Sequence, residues 1–147
     1  MRIETFRRAL LLASLLLAAS CASAVRDESR ALEALSSPDA RRRADALAFL
    51  LREPHDRRVE LGLELFFSPD PFLGNAGVAL LASTGPAPEA MERILSALDD
   101  DTAARRFAAL CVRAPDAGRL PLLLSLIRRL PDDDAPLLAR ALEASAG

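Results

Sequence analysis

The feature that most constrains the fold of this chain is an internal repeat, whose period is 31 or 32 positions. Four short segments recur at this spacing, and each combines Asp with Ser, Pro or further Asp: Ser37-Pro38-Asp39, Ser68-Pro69-Asp70, Asp99-Asp100-Asp101 and Pro131-Asp132-Asp133. Ser and Asp side chains accept hydrogen bonds from the first free N–H groups of a helix, Pro is tolerated in the first turn, and Asp complements the helix dipole. The period therefore predicts a stack of helical units, since a repeat of this length buries its apolar face only against its neighbours.

Two series of apolar residues have the same period. The first series is a small residue followed by a larger apolar one: Ala46-Leu47, Gly77-Val78, Ala109-Leu110 and Ala141-Leu142. The second series is a trio: Val59, Leu63 and Phe66, then Met91, Leu95 and Leu98, then Leu123, Ile127 and Leu130. Because steps of four and three positions place side chains on one helix face, we expect each trio to face the core.

The two series predict eight helices, which alternate between two types after an opening helix over about residues 27–36. First-type helices are expected to begin near Pro38, Pro69, Asp100 and Asp133, and second-type helices near Pro54, Pro86 and Asp116. Abundant Ala and Leu, with few Val and Thr, also favour helices over strands. The expected fold class is all-α.

The first-type helices resemble the first helix of HEAT-type repeats, in which a Pro-Asp or Asp-Asp start is followed by Arg and then by an Ala-Leu pair. Two units match best: Pro38-Asp39 with Arg41 to Arg43 and Ala46-Leu47, and Asp100-Asp101 with Arg105, Arg106 and Ala109-Leu110. The second unit departs from the pattern, because Leu73-Gly74-Asn75 replaces the Arg cluster and interrupts any Asp–Arg ladder. The resemblance covers about residues 27–145. It implies a short α-solenoid of antiparallel helix pairs, about three and a half repeats in a domain of residues 27–147, whose second helices line a concave surface. It implies no chemistry.

The N-terminal segment is typical of an export signal. Arg2, Arg7 and Arg8 precede an uncharged, Leu-rich stretch over residues 9–25. A helix that spans a membrane needs roughly 20 apolar residues, and this stretch is shorter, which favours a cleavable signal over a membrane span. Residues 1–20 are therefore predicted to be a signal peptide, followed by a short tether over residues 21–26.

Two cleavage sites compete in this segment. Residues 17–21 end in Cys21 and resemble the lipobox of bacterial lipoproteins, with Ala18 where that family usually has Leu. This resemblance implies a lipid on Cys21 and a membrane-anchored protein that faces the periplasm or the cell exterior. Alternatively, Ala22-Ser23-Ala24 implies cleavage after Ala24 and a soluble periplasmic or secreted protein. An uncleaved anchor is the third possibility.

Composition argues against nucleic acid as a partner. The formal net charge is −2, all 19 basic residues are Arg, and the chain has no Trp or Tyr, whereas nucleic-acid surfaces are basic and usually offer stacking aromatics. After cleavage before Cys21, Cys111 is the single free thiol of the chain, so no intramolecular disulfide is expected. Its apolar neighbours predict a buried small side chain.

The chain shows no pattern typical of a catalytic, metal or cofactor site. His55, the only imidazole, is expected to face solvent in the first turn of a helix, and one His without a nearby nucleophile does not make a catalytic triad. The acidic clusters at residues 99–101 and 132–134 lack the spacing of a calcium loop, so helix capping is their expected role. The basic run at residues 41–43 is expected to be solvated or ion-paired beside Asp39 and Asp45, with contact to anionic lipid headgroups as the alternative.

The leading functional hypothesis is a membrane-tethered scaffold that binds another protein, because stacked helix pairs present an extended surface. The candidate contact residues are the outward side chains of the second-type helices: Arg57, Glu60, Glu64, Glu89, Glu92, Arg93, Leu122, Leu124 and Arg128. One alternative is a solenoid-bodied enzyme or enzyme maturation factor. The other is a purely structural component of the cell envelope.

The Leu-rich segment at residues 120–130 poses a separate question, because its apolar residues surround the predicted helix. Leu124 matches Glu60 and Glu92 in the repeat register and is expected to be exposed, whereas Leu126 is expected at the edge of the core. Either the last helix covers Leu122 and Leu126 as a cap, or Leu122 and Leu124 serve for self-association or partner docking.

Overall fold

The computed structural model describes residues 27–85 and 88–147, which contain helices and no strand. The predicted signal peptide, the tether, Cys21 and both cleavage sites lie outside the described residues, as does Pro86. No helix in the described part of the chain is long and apolar enough to span a membrane. In these residues eight helices occur: α1 (residues 27–35), α2 (Ala40–Leu50), α3 (His55–Phe66), α4 (Pro71–Thr84), α5 (Pro88–Ser96), α6 (Asp101–Arg113), α7 (Leu120–Ile127) and α8 (Ala135–Ala146).

The helix starts predicted from the repeat are confirmed to within a few positions. Asp39, Asp70 and Asp100 are the N-caps of α2, α4 and α6, and their carboxylates accept hydrogen bonds from backbone N–H groups of the first turn. The distances are 2.9 Å from Arg41 N, 2.7 Å from Phe72 N and 2.8 Å from Ala103 N. α7 and α8 begin later than expected because a 3₁₀ turn precedes each of them, over Ala117–Arg119 and Asp132–Asp134.

Capping by the acidic cluster at residues 132–134 was a wrong expectation. Asp134 occupies the N-cap position of α8, but its side chain makes no capping hydrogen bond. Its Oδ2 instead accepts a hydrogen bond of 2.8 Å from Nε of Arg105 on α6. An ion pair therefore joins α6 to the start of α8.

Two apolar cores hold the helices together. The smaller core lies among α1 to α4 and contains Leu35, Leu50 and Leu80. The larger core takes buried side chains from α3 to α8, with Phe66 and Phe107 as its largest members. α3 and α4 contribute to both cores, and α4 also packs against α6, α6 against α8 and α7 against α8.

The contact between α3 and α4 is close because two glycines face each other across it. A Cβ on Gly77 would overlap the backbone nitrogen of Phe66 and lie 2.8 Å from the carbonyl oxygen of Gly62. A Cβ on Gly62 would lie 2.9 Å from Cγ of Leu81. Small residues at these positions therefore let the two helix backbones touch.

The predicted buried trios are confirmed at Leu63, Phe66, Leu98, Leu123 and Leu130, whereas Val59 and Met91 are half-buried against the core. The prediction is wrong at Leu95 and Ile127, which are exposed, and at Leu126, which is buried instead of lying at the edge of the core. Ile94 on α5 and Leu126 on α7, which match Gly62 in the register, are buried in the core instead. The difference arises because α3 lies between two cores and is covered on more of its circumference, while α5 and α7 contribute to the larger core alone.

Candidate interaction surface

The candidate contact residues on α3, α5 and α7 fall into exposed and half-buried groups. Seven are exposed: Glu60, Glu64, Glu89, Glu92, Arg93, Leu124 and Arg128. Arg57 and Leu122 are half-buried. Within the described residues, Arg57 and Glu60 are the candidates joined by an ion pair, and no ion pair links a candidate on α3 to one on α5 or α7.

Arg57 connects helices in addition to lying at the surface. Its Nε donates a hydrogen bond of 2.9 Å to Oε2 of Glu28 on α1, Nη2 donates to the other carboxylate oxygen, and Nη1 donates to Glu60. The hydrogen bonds from Arg57 lower the pKa of Glu28 against the opposing effect of its partial burial. The same bonds raise the pKa of Arg57, with that to Glu28 contributing most. Arg57 is therefore a positioning residue for α1 and contributes little free charge to the surface.

The exposure of Leu95 on α5 and of Ile127 on α7 is the feature that the sequence pattern missed. Leu95 is 37% exposed, and Ile127, its counterpart one repeat later, is 47% exposed. Leu124, one turn before Ile127, is 54% exposed, as the register predicted. Leu95 thus projects from a helix that also carries charged side chains, whereas α7 has no charged residue between Leu120 and Ile127.

An apolar cavity of about 210 Å³ opens beside Ile127, between α7 and α8. Leu130, Ala135, Leu138 and Leu142 contribute to its wall. α7 packs against α8, Leu126 is buried, and Leu122 packs half-buried against the core. Leu122 and Leu126 are therefore at least half covered, whereas Leu124 and Ile127 are exposed.

The basic run at residues 41–43 divides into two parts. Arg41 and Arg42 are exposed. Arg43 is half-buried, with Nη1 donating hydrogen bonds of 2.7 Å to the carbonyl oxygen of Ser37 and 2.9 Å to that of Pro38. Its guanidinium also lies over the ring of Phe72, 4.1 Å from the centroid, a contact favoured by the ring quadrupole. For Arg43 the expected pairing with Asp39 or Asp45 is replaced by carbonyl oxygens and an aromatic ring.

Arg106 on α6 is the buried charge that sequence reasoning did not single out. It is only 9% exposed, and Nη1 donates to the carbonyl oxygens of Phe66 and, at 2.7 Å, of Ser68. Burial lowers the pKa of Arg106, while the charges of Asp100 and Asp70 act in the opposite direction. The carbonyl oxygens at the end of a helix carry partial negative charge, so this guanidinium stabilises the C-terminus of α3. In the sequence, the pair Arg105-Arg106 after Asp100-Asp101 was the pattern that could have indicated this buried arginine.

Among the described residues, the remaining reactive side chains, His55 and Cys111, lie on different helices, α3 and α6. His55 begins α3 and is exposed, with Nδ1 3.1 Å from Oδ1 of the exposed Asp56. Cys111 is fully buried, as predicted, and burial raises the pKa of its thiol. In residues 27–85 and 88–147, no group of three or more His, Cys, Asp or Glu side chains is arranged to hold a metal ion.

Comparison with known proteins found no match among family models, curated proteins or solved structures.

Proposed function

We propose that this chain is an exported, lipid-anchored helical-repeat scaffold that binds another protein at the cell envelope and performs no catalysis itself. The observation that carries the proposal is the set of exposed charged side chains on α3 and α5, in which Glu64, Glu89 and Glu92 form no ion pair with another described residue. Exposed charged groups that lack a partner within the chain can steer and orient another protein by electrostatic complementarity.

The proposed architecture is a HEAT-like α-solenoid. It is supported by the packing of α4 on α6 and of α6 on α8, which are all first-type helices. It is also supported by the shared core, into which α3, α5 and α7 each bury one face. In this arrangement the opposite faces of α3, α5 and α7 form one continuous surface, with acidic residues on α3 and α5 and apolar residues on α7.

The proposed anchor rests on the lipobox-like residues 17–21 and the export signal before them. Metabolic labelling of the full chain with a fatty-acid analogue tests it. We expect the label on the wild-type chain and none on the Cys21→Ser variant. An unlabelled wild-type chain that begins at Val25 would show instead that cleavage occurs after Ala24.

Protein binding is tested by affinity purification of the full, membrane-extracted chain followed by mass spectrometry. The test variant replaces Glu60, Glu92 and Arg93 with Ala. A matched control replaces Asp45, Arg140 and Glu143 with Ala. These three residues are exposed, lie on the first-type helices α2 and α8, and have the same summed charge as Glu60, Glu92 and Arg93. We expect a partner that the wild-type and control chains recover and that the test variant loses. Equal recovery by all three chains would contradict the proposed surface.

A further inference from the structure

Leu124, Ile127 and the cavity between α7 and α8 lie together and form what we name the α7–α8 patch. α7 has no charged residue from Leu120 to Ile127. Two of its large side chains project toward solvent, at 54% and 47% exposure. Directly beside them lies the apolar cavity of about 210 Å³, which Leu130 and Leu138 help to line. Projecting apolar side chains and an apolar recess therefore occupy the same patch.

Charges at the border of this patch have both signs. Arg128, which follows Ile127, is exposed, and Asp132, which lines the cavity, is exposed as well. Neither forms an ion pair with another residue of the described segments, whereas the adjacent Arg129 lies 3.5 Å from Asp99. An isologous interface brings the same patch of two copies together, so it requires a patch that complements itself in shape and charge.

α5 provides the contrast that distinguishes the patch from an ordinary exposed leucine. Leu95 occupies the same register position as Ile127, but Glu92 stands on α5 where Leu124 stands on α7. Leu95 lines neither the cavity beside Ile127 nor the cavities beside Arg106, Phe72 and Arg42. α7 therefore offers a larger apolar contact than its counterpart, and that contact adjoins a recess.

We infer that the α7–α8 patch is a homodimer interface, in which Ile127 of each copy enters the cavity of the other and Arg128 of each copy faces Asp132 of the other. The inference goes beyond the proposed function, because it gives this patch to a second copy of the chain and leaves the acidic surface of α3 and α5 to a different protein. The hydrophobic effect supplies the driving force for burying the apolar side chains. The two ion pairs fix the orientation of the copies.

The inference is tested with two differently tagged full-length chains produced in the same cells. A photo-reactive phenylalanine analogue replaces Leu124 in one chain, and the cross-linked product is probed for both tags. We expect an adduct that carries both tags and a decrease on the order of tenfold or more when both chains carry Ile127→Glu, since a carboxylate is costly to bury without a partner. Leu95→Glu is the matched control and should leave the adduct unchanged.

A charge exchange provides a second readout that does not depend on the apolar substitution. Arg128→Asp in both chains places two carboxylates opposite each other and should reduce the adduct several-fold. In the rescue experiment one chain carries Arg128→Asp and the other carries Asp132→Arg. One cross-copy ion pair then has its two charges exchanged, and the other ion pair is unchanged. Because both pairs again join opposite charges, the adduct should return to the wild-type level. The absence of any adduct that carries both tags, an adduct with another protein alone, or equal sensitivity to Leu95→Glu would overturn the inference. None of these outcomes affects the purification test of the acidic surface.

Discussion

The guanidinium of Arg106 on α6 lies against Gly74 on α4, in the space that a Cβ at residue 74 would occupy. In the repeat register, Gly74 is the counterpart of Arg43 in the preceding unit and of Arg106 in the following one. Arg43 donates to the carbonyl oxygen of Ser37, and Arg106 donates to that of Ser68, the counterpart of Ser37 in the next repeat. Each Ser-Pro-Asp turn thus receives one guanidinium, and in the second unit it comes from the next first-type helix.

This arrangement predicts opposite effects of Gly74→Ala in two backgrounds. In the wild-type chain the new methyl group displaces Arg106 from its carbonyl partners, and we expect a loss of about 1 to 2 kcal/mol in the free energy of unfolding. In an Arg106→Ala background the space is empty, so the better helix propensity of Ala should stabilise the chain by up to about 1 kcal/mol. Urea unfolding followed by circular dichroism measures all four corners of this double-mutant cycle. If Gly74→Ala has the same sign in both backgrounds, the guanidinium does not determine the residue at position 74.

The sequence was sufficient to predict the helices, because their starts are local chemistry: an Asp side chain that satisfies free N–H groups. It was also sufficient to predict Leu124 at the surface, since its counterparts Glu60 and Glu92 are charged. It was not sufficient to predict which apolar residues are buried on α5 and α7. Leu95 and Ile127 have the same helical phase as Leu63. Leu63 is buried and the other two are exposed because α3 lies between two cores, whereas α5 and α7 contribute to one.

Gly74 illustrates the same limit. Within its own unit the residue appears as a departure from the Arg pattern, and the reason for it lies on α6, one full repeat further along the chain. A single sequence shows that Gly74 replaces an arginine of the pattern, but it does not show that Arg106 occupies the space beside Gly74. The burial of Arg106 could not be predicted, because a buried arginine and a solvated arginine follow the same helical pattern.

The contact between α3 and α4 predicts a large penalty for Gly77→Ala. The added Cβ would meet backbone atoms of α3, which move only if the two helices separate. We expect a destabilisation of about 3 kcal/mol, at the upper end of the usual cost of overpacking, even though Ala is the better helix former. The measurement is again urea unfolding.

Gly62→Ala is the comparison for this prediction. A Cβ there would meet the side chains of Leu81 and Leu80, which adjust more easily than a backbone. Its effect should be clearly smaller than that of Gly77→Ala. Equal penalties for the two variants would mean that backbone contact at Gly77 is not what limits the approach of the helices.

The burial of Cys111 predicts a thiol that is protected in the folded chain. Since desolvation raises the pKa of the thiol, its reactive thiolate is rare as well as inaccessible. In a Cys21→Ser background we expect alkylation of Cys111 to be at least about 100-fold slower than that of an exposed cysteine, because reaction requires opening of the core. Ser96→Cys on the exposed side of α5 is the reference thiol, measured in a chain without Cys21 and Cys111. Comparable alkylation rates at the two positions would contradict the buried placement of Cys111.

The bond between Arg57 and Glu28 predicts a pH-dependent contribution to stability. Because Arg57 lowers the pKa of Glu28 in the folded chain below its ordinary value of 4.5, the folded chain binds a proton at this site less readily than the unfolded chain. The stabilisation is therefore complete above about pH 4.5 and is lost as the pH falls through the lowered pKa. We expect Glu28→Gln to cost up to about 1 kcal/mol at neutral pH, a value limited by the partial exposure of Arg57 to solvent.

The difference in stability between the wild-type chain and Glu28→Gln should then shrink in acid, as followed by urea unfolding at several pH values. Glu33→Gln on the same helix is the control, since Glu33 forms no ion pair with another described residue and should give a difference that is small at neutral pH. A wild-type advantage over Glu28→Gln that stays constant down to strongly acidic pH would show that the carboxylate charge is not what Arg57 recognises.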